Sequence, residues 1–191
     1  MIGFDDGTEK THTLDGKTVP VIHPNLTSAA DTTIAKQLAA NSDISFKGTC
    51  KAGAMDIPEG DALNWLRLPN PHGKPNSDVL RPWINASAIV RRNPNQWIID
   101  FGTGMKLSEA VNYELPHKHV LLDVKPEREK SNEPPIVAKW WLMARPRPEF
   151  RQAIIGIHRY LITPRVAKHR IFQWVDSIVI PDDGIPPFLS S

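Results

Sequence analysis

The stretch Asn76–Gly102, NSDVLRPWINASAIVRRNPNQWIIDFG, decides how the rest of the chain is read. It leaves a Pro/Gly/Asn loop and passes an Arg81-Pro82-Trp83 turn. It then shows an adjacent cation pair, Arg91 and Arg92, and ends in an apolar strand, Trp97–Phe101, closed by Gly102. An apolar anchor preceded by polar loops and fixed cations predicts a module that holds its surface against something anionic. A second stretch, Lys139–Arg170, repeats the theme more strongly.

The formal net charge is only +2, but it is unevenly placed. Residues 1–78 hold 7 Lys/Arg against 10 Asp/Glu, and residues 79–191 hold 16 against 11. The window 139–170 alone carries 8 cations against Glu149, a net of +7. Such density is either an electrostatic footprint for a polyanion or a solvated basic face. Internal pairing with Asp or Glu is expected for about a third of its arginines.

With 191 residues the chain can bury one real core. Apolar runs stay well below the roughly 18 residues of a membrane span. Met1–Lys10 does not read as a signal peptide, and the single Cys50 allows no internal disulfide, so a cytoplasmic location is expected. Cys50 reads as a small packed side chain rather than a nucleophile.

Outward from the central stretch, short segments alternate with 18 prolines, which predicts an α+β fold. It should be a β-rich single domain with short helices and irregular proline-rich connections. Met1–Phe4, Thr8–Leu14 and Lys17–Ile22 read as a meander turning at Asp5-Asp6-Gly7 and Asp15-Gly16. A strand under way by residue 2 suggests a segment of a longer polypeptide. Thr33–Ala40 is weakly helical, and Ile44–Thr49 is a short strand. Gly48 and Gly53 bracket Lys51, either on a backbone that approaches a ligand or in a surface turn. Pro58–Leu68 predicts a helix with Ala62, Leu63, Trp65 and Leu66 on its apolar side. Leu107–Tyr113 and Glu149–Ile155 are further helical turns. Val120–Val124 is a short apolar run, Lys125–Pro135 is charged, and Arg159–Thr163 and Ile178–Ile180 are strands. Residues 183–191 read as a poorly ordered proline-rich tail.

Enzyme-like motifs are few. Trp97–Gly104, WIIDFGTG, resembles the first motif of S-adenosylmethionine-dependent methyltransferases, with Asp123 as an acidic end for a second strand. The region after Gly104 is broken by proline and does not alternate strand with helix, so a small methyltransferase remains the alternative reading. Asn93-Pro94-Asn95-Gln96 lacks the second proline and the aromatic of a DNA amino-methylation motif and reads as a turn. His117-x-His119 is the one close histidine pair, with no supporting ligand spacing. The pair Trp140-Trp141 cannot point to one side of a strand, so one ring is expected to stack on an arginine or to sit at an interface.

Taken in order, IGFDDG, FKG, KAG, DIP, WLRLPNPHGKPNSDVLRPWINA, WIIDFG, VKPERE, KWW, PRPEFR and RYLITPRVAKHRIFQWVDS resemble the target recognition domain of MmeI-like type II restriction–modification enzymes. Those are large polypeptides that join a nuclease, an adenine-specific DNA methyltransferase and one DNA-reading domain. The resemblance spans residues 2–182. It implies a DNA target recognition domain over 1–182 that binds double-stranded DNA and lacks catalysis on its own. S-adenosylmethionine would belong to an adjoining methyltransferase core, on the same or a neighbouring polypeptide, and Asp100 would be structural. Candidate DNA contacts are Lys47, Lys51, Arg81, Arg91 and Arg92 near the first loops. Arg145, Arg147, Arg165, Lys168, His169 and Arg170 are the candidates in the basic segment.

Two departures stand out. Asn85 is followed by Ala86-Ser87-Ala88 where the family usually has Gly-x-Asp, and the chain stops at Ser191 before the family's continuation. The base-reading element is therefore expected to be incomplete, and a non-functional remnant is a further alternative.

Overall fold

The structure, a computed structural model, describes residues 7–36, 38, 39 and 42–189. Backbone contacts divide the chain into two compact units, Met1–Ser42 and Asp43–Ser191.

In the first unit, β1 (His12–Leu14) pairs antiparallel with β2 (Lys17–Val19). Asp15 and Gly16 join them with φ of 49° and 76°, the positive pair that a tight two-residue hairpin turn requires. The expected first strand, Met1–Phe4, and its Asp5-Asp6 turn lie outside the described residues. Of the helix expected over Thr33–Ala40, a 3-10 turn forms at Thr32–Ile34, capped by the Asp31 carboxylate, which accepts the Thr33 amide at 2.9 Å.

The second unit is built on two small sheets. The first comprises β3 (Asp56–Ile57), β5 (Trp97–Ile99), β4 (Leu80–Ile84) and β8 (Ile180–Pro181), in that spatial order. β4 runs parallel to β8, and the other pairs are antiparallel. The second sheet places β6 (Arg159–Ile162) between β7 (Gln173–Asp176) and β9 (Pro187–Phe188).

Neighbouring residues Ile98 and Ile99 of β5 are each fully buried. Side chains alternate between the faces of a strand, so both faces of this sheet are covered. Met55, Val79, Phe101, Val120, Val124 and Leu142 belong to the same apolar cluster. A second cluster joins Ile84, Phe150, Tyr160, Ile162, Val175 and Ile185. Burial and the Asp78 acceptor push the Tyr113 hydroxyl up to about 12. Tyr160, enclosed more deeply, is raised further.

The helices are short. α1 (Glu59–Trp65) starts after Pro58 with Glu59 and Asp61 complementing its positive end. Ala62 is buried, but Leu63 is exposed rather than on the packed side. α2 (Ala86–Val90) is capped by the Asn85 side chain, which accepts the Ala88 amide at 2.9 Å. α3 (Leu107–Ala110) and α4 (Glu114–His119) follow, and α4 continues into a wide π-helical turn over Val120–Val124. That apolar run is therefore helical. α5 (Lys125–Arg128), α6 (Pro134–Ala138) and α7 (Pro148–Ala153) complete the set. Prolines open α6 and α7, where a missing N–H costs nothing. Helix accounts for 27% and strand for 18%, so the α+β class expected from the sequence holds.

The tail is the clearest correction. Residues 183–189 are not a loose end: Ile185 is fully buried and β9 completes the second sheet. Proline lacks only the donor, and its carbonyl still accepts. Pro181 and Pro187 receive the amides of Thr49 and Phe46 at 2.8 and 3.0 Å. The segment 44–50 is correspondingly not a continuous strand. It makes single bridges at Ser45, Thr49 and Cys50. At Gly48 a Cβ would lie 1.9 Å from the Asp182 carbonyl oxygen, so the close approach served by this glycine is to its own chain.

Candidate nucleic-acid interface

Three remote segments meet in one open cavity of about 480 Å³. The bridged segment 45–47 supplies Ser45, Phe46 and Lys47, the entry to α7 supplies Arg147, and the β6–β7 loop supplies Arg165. The tail closes the cavity with Asp183 and Pro186. Arg147 sits in left-handed backbone, φ 57°, as the N-cap of α7. That conformation is strained for a residue with a Cβ, and the side chain is fixed here by two bonds. The guanidinium donates to the Gly48 carbonyl and to Asp183, each at 2.9 Å. Arg165 reaches the other oxygen of the same carboxylate at 3.2 Å and the Asp183 carbonyl at 2.5 Å. Burial alone would raise the Asp183 carboxyl. The hydrogen bonds and charges of Arg147 and Arg165 prevail and hold it below its ordinary value.

The β6–β7 loop, residues 163–172, carries the other cations of this region. Lys168, His169 and Arg170 are exposed, and the Arg170 guanidinium closes the loop by donating to the Pro164 carbonyl at 2.5 Å. Val166 is 87% exposed and Phe172 57%, so apolar side chains share the loop with the charges. At the hairpin's edge the Arg159 guanidinium stacks over the Trp174 ring at 4.7 Å. Cations interleaved with exposed rings are the surface grammar of polyanion contact.

The other expected contacts are distributed differently. Lys51 is half-buried, paired with Asp56 and placed 4.8 Å over the Trp83 ring. Arg81 donates to the Ser77 and Leu80 carbonyls. Arg145 pairs with Glu133 at 2.9 Å, and its backbone bridges Cys50. Arg91 and Arg92 are exposed after α2, away from the cavity lining. Of the six arginines in the window 139–170, four pair with carboxylates: Arg145, Arg147, Arg151 and Arg165. That is twice the share expected from the sequence.

The enzyme-like motifs resolve into structure. Arg151 grips the buried Asp100 carboxylate with two bonds, 2.7 and 2.9 Å, and the Gly102 amide donates to it at 3.0 Å. With both oxygens occupied by the protein itself, Asp100 is structural, as the resemblance implied. The Asn95 amide donates to the Asn93 side chain at 2.9 Å, and Asn95 takes a φ of 53°, the expected turn. His117 and His119 lie two apart on α4, not on a strand, and do not share a helical face. His119 bonds the Ala54 carbonyl and Asp123, while burial near Trp140 pulls His117 down. Among the described residues no group of His, Cys, Asp and Glu is arranged to hold a metal. No described helix is long and apolar enough to cross a membrane. Of the tryptophan pair, Trp140 stacks under the Lys125 ammonium at 5.3 Å and Trp141 donates to the Met105 carbonyl at 2.8 Å.

Asp183 was not expected from sequence, though it is the shared partner of two candidate arginines. Its signal is the Asp182-Asp183-Gly184 turn, followed by the buried Ile185. A second cavity of about 340 Å³ was also missed. It is lined by Trp83 and Trp97 together with the amides of Asn93, Asn95, Gln96 and Gln173 and the carboxylates Glu59 and Asp176, so no cation faces it among the described residues.

No protein-family model and no curated protein matches the chain. Among solved structures, it is similar to the type IIL restriction-modification enzyme MmeI in complex with DNA, with a TM-score of 0.62 and 15% identity. The match covers 92% of this chain and 23% of that one, so the chain spans about a quarter of its neighbour. The chain therefore shares the fold of part of a restriction-modification enzyme.

Proposed function

We propose that the chain is a target recognition module that binds duplex DNA and presents it to an adenine-specific methyltransferase core. That core lies on the same or a neighbouring polypeptide and supplies S-adenosylmethionine binding and catalysis. The observation that carries this reading is convergence. Lys47, Arg147 and Arg165, separated by up to 118 positions in sequence, line one open cavity beside the loop that bears Lys168, His169 and Arg170. Burial of an apolar core does not require this clustering, because cations of like sign repel when brought together. The fold shared with part of MmeI, solved in complex with DNA, supports the same reading. In this module most cations clamp phosphates. The loop 163–172, exposed at Arg165, Val166 and residues 168–172, mixes cations with apolar side chains and is the element suited to enter a groove.

The test is fluorescence anisotropy of a labelled duplex at low salt. The wild-type chain is expected to bind, and Lys168→Ala with Arg170→Ala to weaken binding at least about tenfold, because each phosphate contact carries a counterion-release contribution. Unchanged affinity in that double variant, with the fold intact by circular dichroism, would remove the loop from the interface.

A further inference from the structure

The cavity between residues 45–47, the α7 entry and the tail holds three cations and one carboxylate. Asp183 binds Arg147 through one oxygen and Arg165 through the other, at 2.9 and 3.2 Å. The two guanidiniums are thus pinned side by side before any ligand arrives. Arg147 is also anchored on the Gly48 carbonyl, so it cannot swing away. Lys47 is exposed at the rim and carries no ion pair among the described residues, and Ser45 adds a hydroxyl. The net of two positive charges left after Asp183 is counted has no further counter-ion among the described residues. The arrangement of paired planar guanidiniums, one mobile ammonium and one hydroxyl matches a tetrahedral oxyanion better than a planar or apolar ligand.

We infer that this cavity binds a single phosphate group and that Asp183 is its built-in rival. The carboxylate keeps Arg147 and Arg165 aligned in the free protein and opposes the incoming anion by like-charge repulsion. This rests on the DNA-binding reading for the source of the phosphate, the duplex backbone. The shared chemistry also admits free inorganic phosphate. A rival anion lowers affinity for every phosphate alike, so it holds down non-specific binding and leaves discrimination to contacts made elsewhere. Asp183 differs in this from the Asp100 carboxylate, which pairs with Arg151 but is nearly fully buried, with a side-chain exposure of 4%.

The experiment has two arms. In the first, labelled duplex is titrated into wild type, Asp183→Asn and Lys47→Ala at fixed salt, with thermal unfolding confirming that each folds. Asp183→Asn is expected to bind about tenfold tighter and Lys47→Ala several-fold weaker, the scale of adding or removing one charge at a phosphate contact. Equal or weaker binding by Asp183→Asn overturns the rival role. Lys47 lies at the rim and bears no ion pair among the described residues, so its variant reads the site even if Asp183→Asn does not fold. In the second arm, the side-chain Nε–H signals of Arg147 and Arg165 are followed by NMR during titration with sodium phosphate, against sodium chloride at matched ionic strength. Saturable shifts with phosphate alone support the site, and parallel responses to both salts overturn it. Phosphate shifts without duplex binding would keep the anion site and reject the DNA reading. Duplex binding that Asp183→Asn and Lys47→Ala leave unchanged would do the reverse.

Discussion

Replacing Arg128 with methionine is expected to cost the fold about 4 kcal/mol, because several buried carbonyls lose their donor at about 1–3 kcal/mol each. Arg128 is only 3% exposed and has no carboxylate partner among the described residues. Its guanidinium instead donates to main-chain carbonyls: Ala52 and Trp140 at 3.0 Å, Lys51 at 2.5 Å, and Leu142. Burial pulls its proton affinity down, and the carbonyl dipoles compensate for lost hydration. One planar fork therefore ties the segment 51–55 to the turn that follows α6. Methionine preserves the apolar stem but leaves several buried acceptors unmatched. The check is urea unfolding. With an m-value of about 2 kcal/mol/M, the midpoint should fall by about 2 M. Lysine at the same position should recover less than half of the loss, because a single ammonium cannot span carbonyls arranged for a fork. A midpoint within experimental error of wild type would show that the network contributes specificity rather than stability.

Raising salt from 50 to 200 mM should weaken duplex binding by about 40-fold, with one phosphate held in the cavity of Lys47, Arg147 and Arg165 and one each at Lys168 and Arg170. Three phosphates give a slope of about −2.7 in log affinity against log salt. Removing Lys168 and Arg170 together should flatten the slope by about 2, since each phosphate contact carries about 0.9 of it. The measurement is the same anisotropy titration run at four salt concentrations. A slope near zero would mean that the cations face solvent without touching the duplex.

Much of this arrangement was legible in the chain. The Asp15-Gly16 hairpin, β5, α1 and the strand at Arg159 were announced by turn residues and apolar runs. So was the concentration of cations between Lys139 and Arg170. What escaped has physical reasons. Prolines at 181 and 187 looked incompatible with strands, yet an edge position that only accepts hydrogen bonds tolerates them. Val120–Val124 is too short for periodicity to separate helix from strand, and its packing into the α4 continuation decided the matter. Arg128 sits among the charges of Lys125–Pro135, and nothing local marks which of them is buried. Pairing was the largest error of proportion. Arg145 and Arg165 look equivalent in sequence, but Arg145 reaches Glu133 across 12 positions, while Arg165 shares Asp183 with Arg147. Such partners are set by tertiary contact and have no local signature.

The central claim is that one face of this chain meets duplex DNA. It is tested most directly by amide chemical-shift mapping during titration with a short duplex. Shifts are expected at residues 44–48, 163–172 and 183–185, with the amides around Asp100 and Arg128 unmoved. Shifts confined to α3 and α5, or no shifts at a low salt concentration where three phosphate contacts should bind, would contradict it.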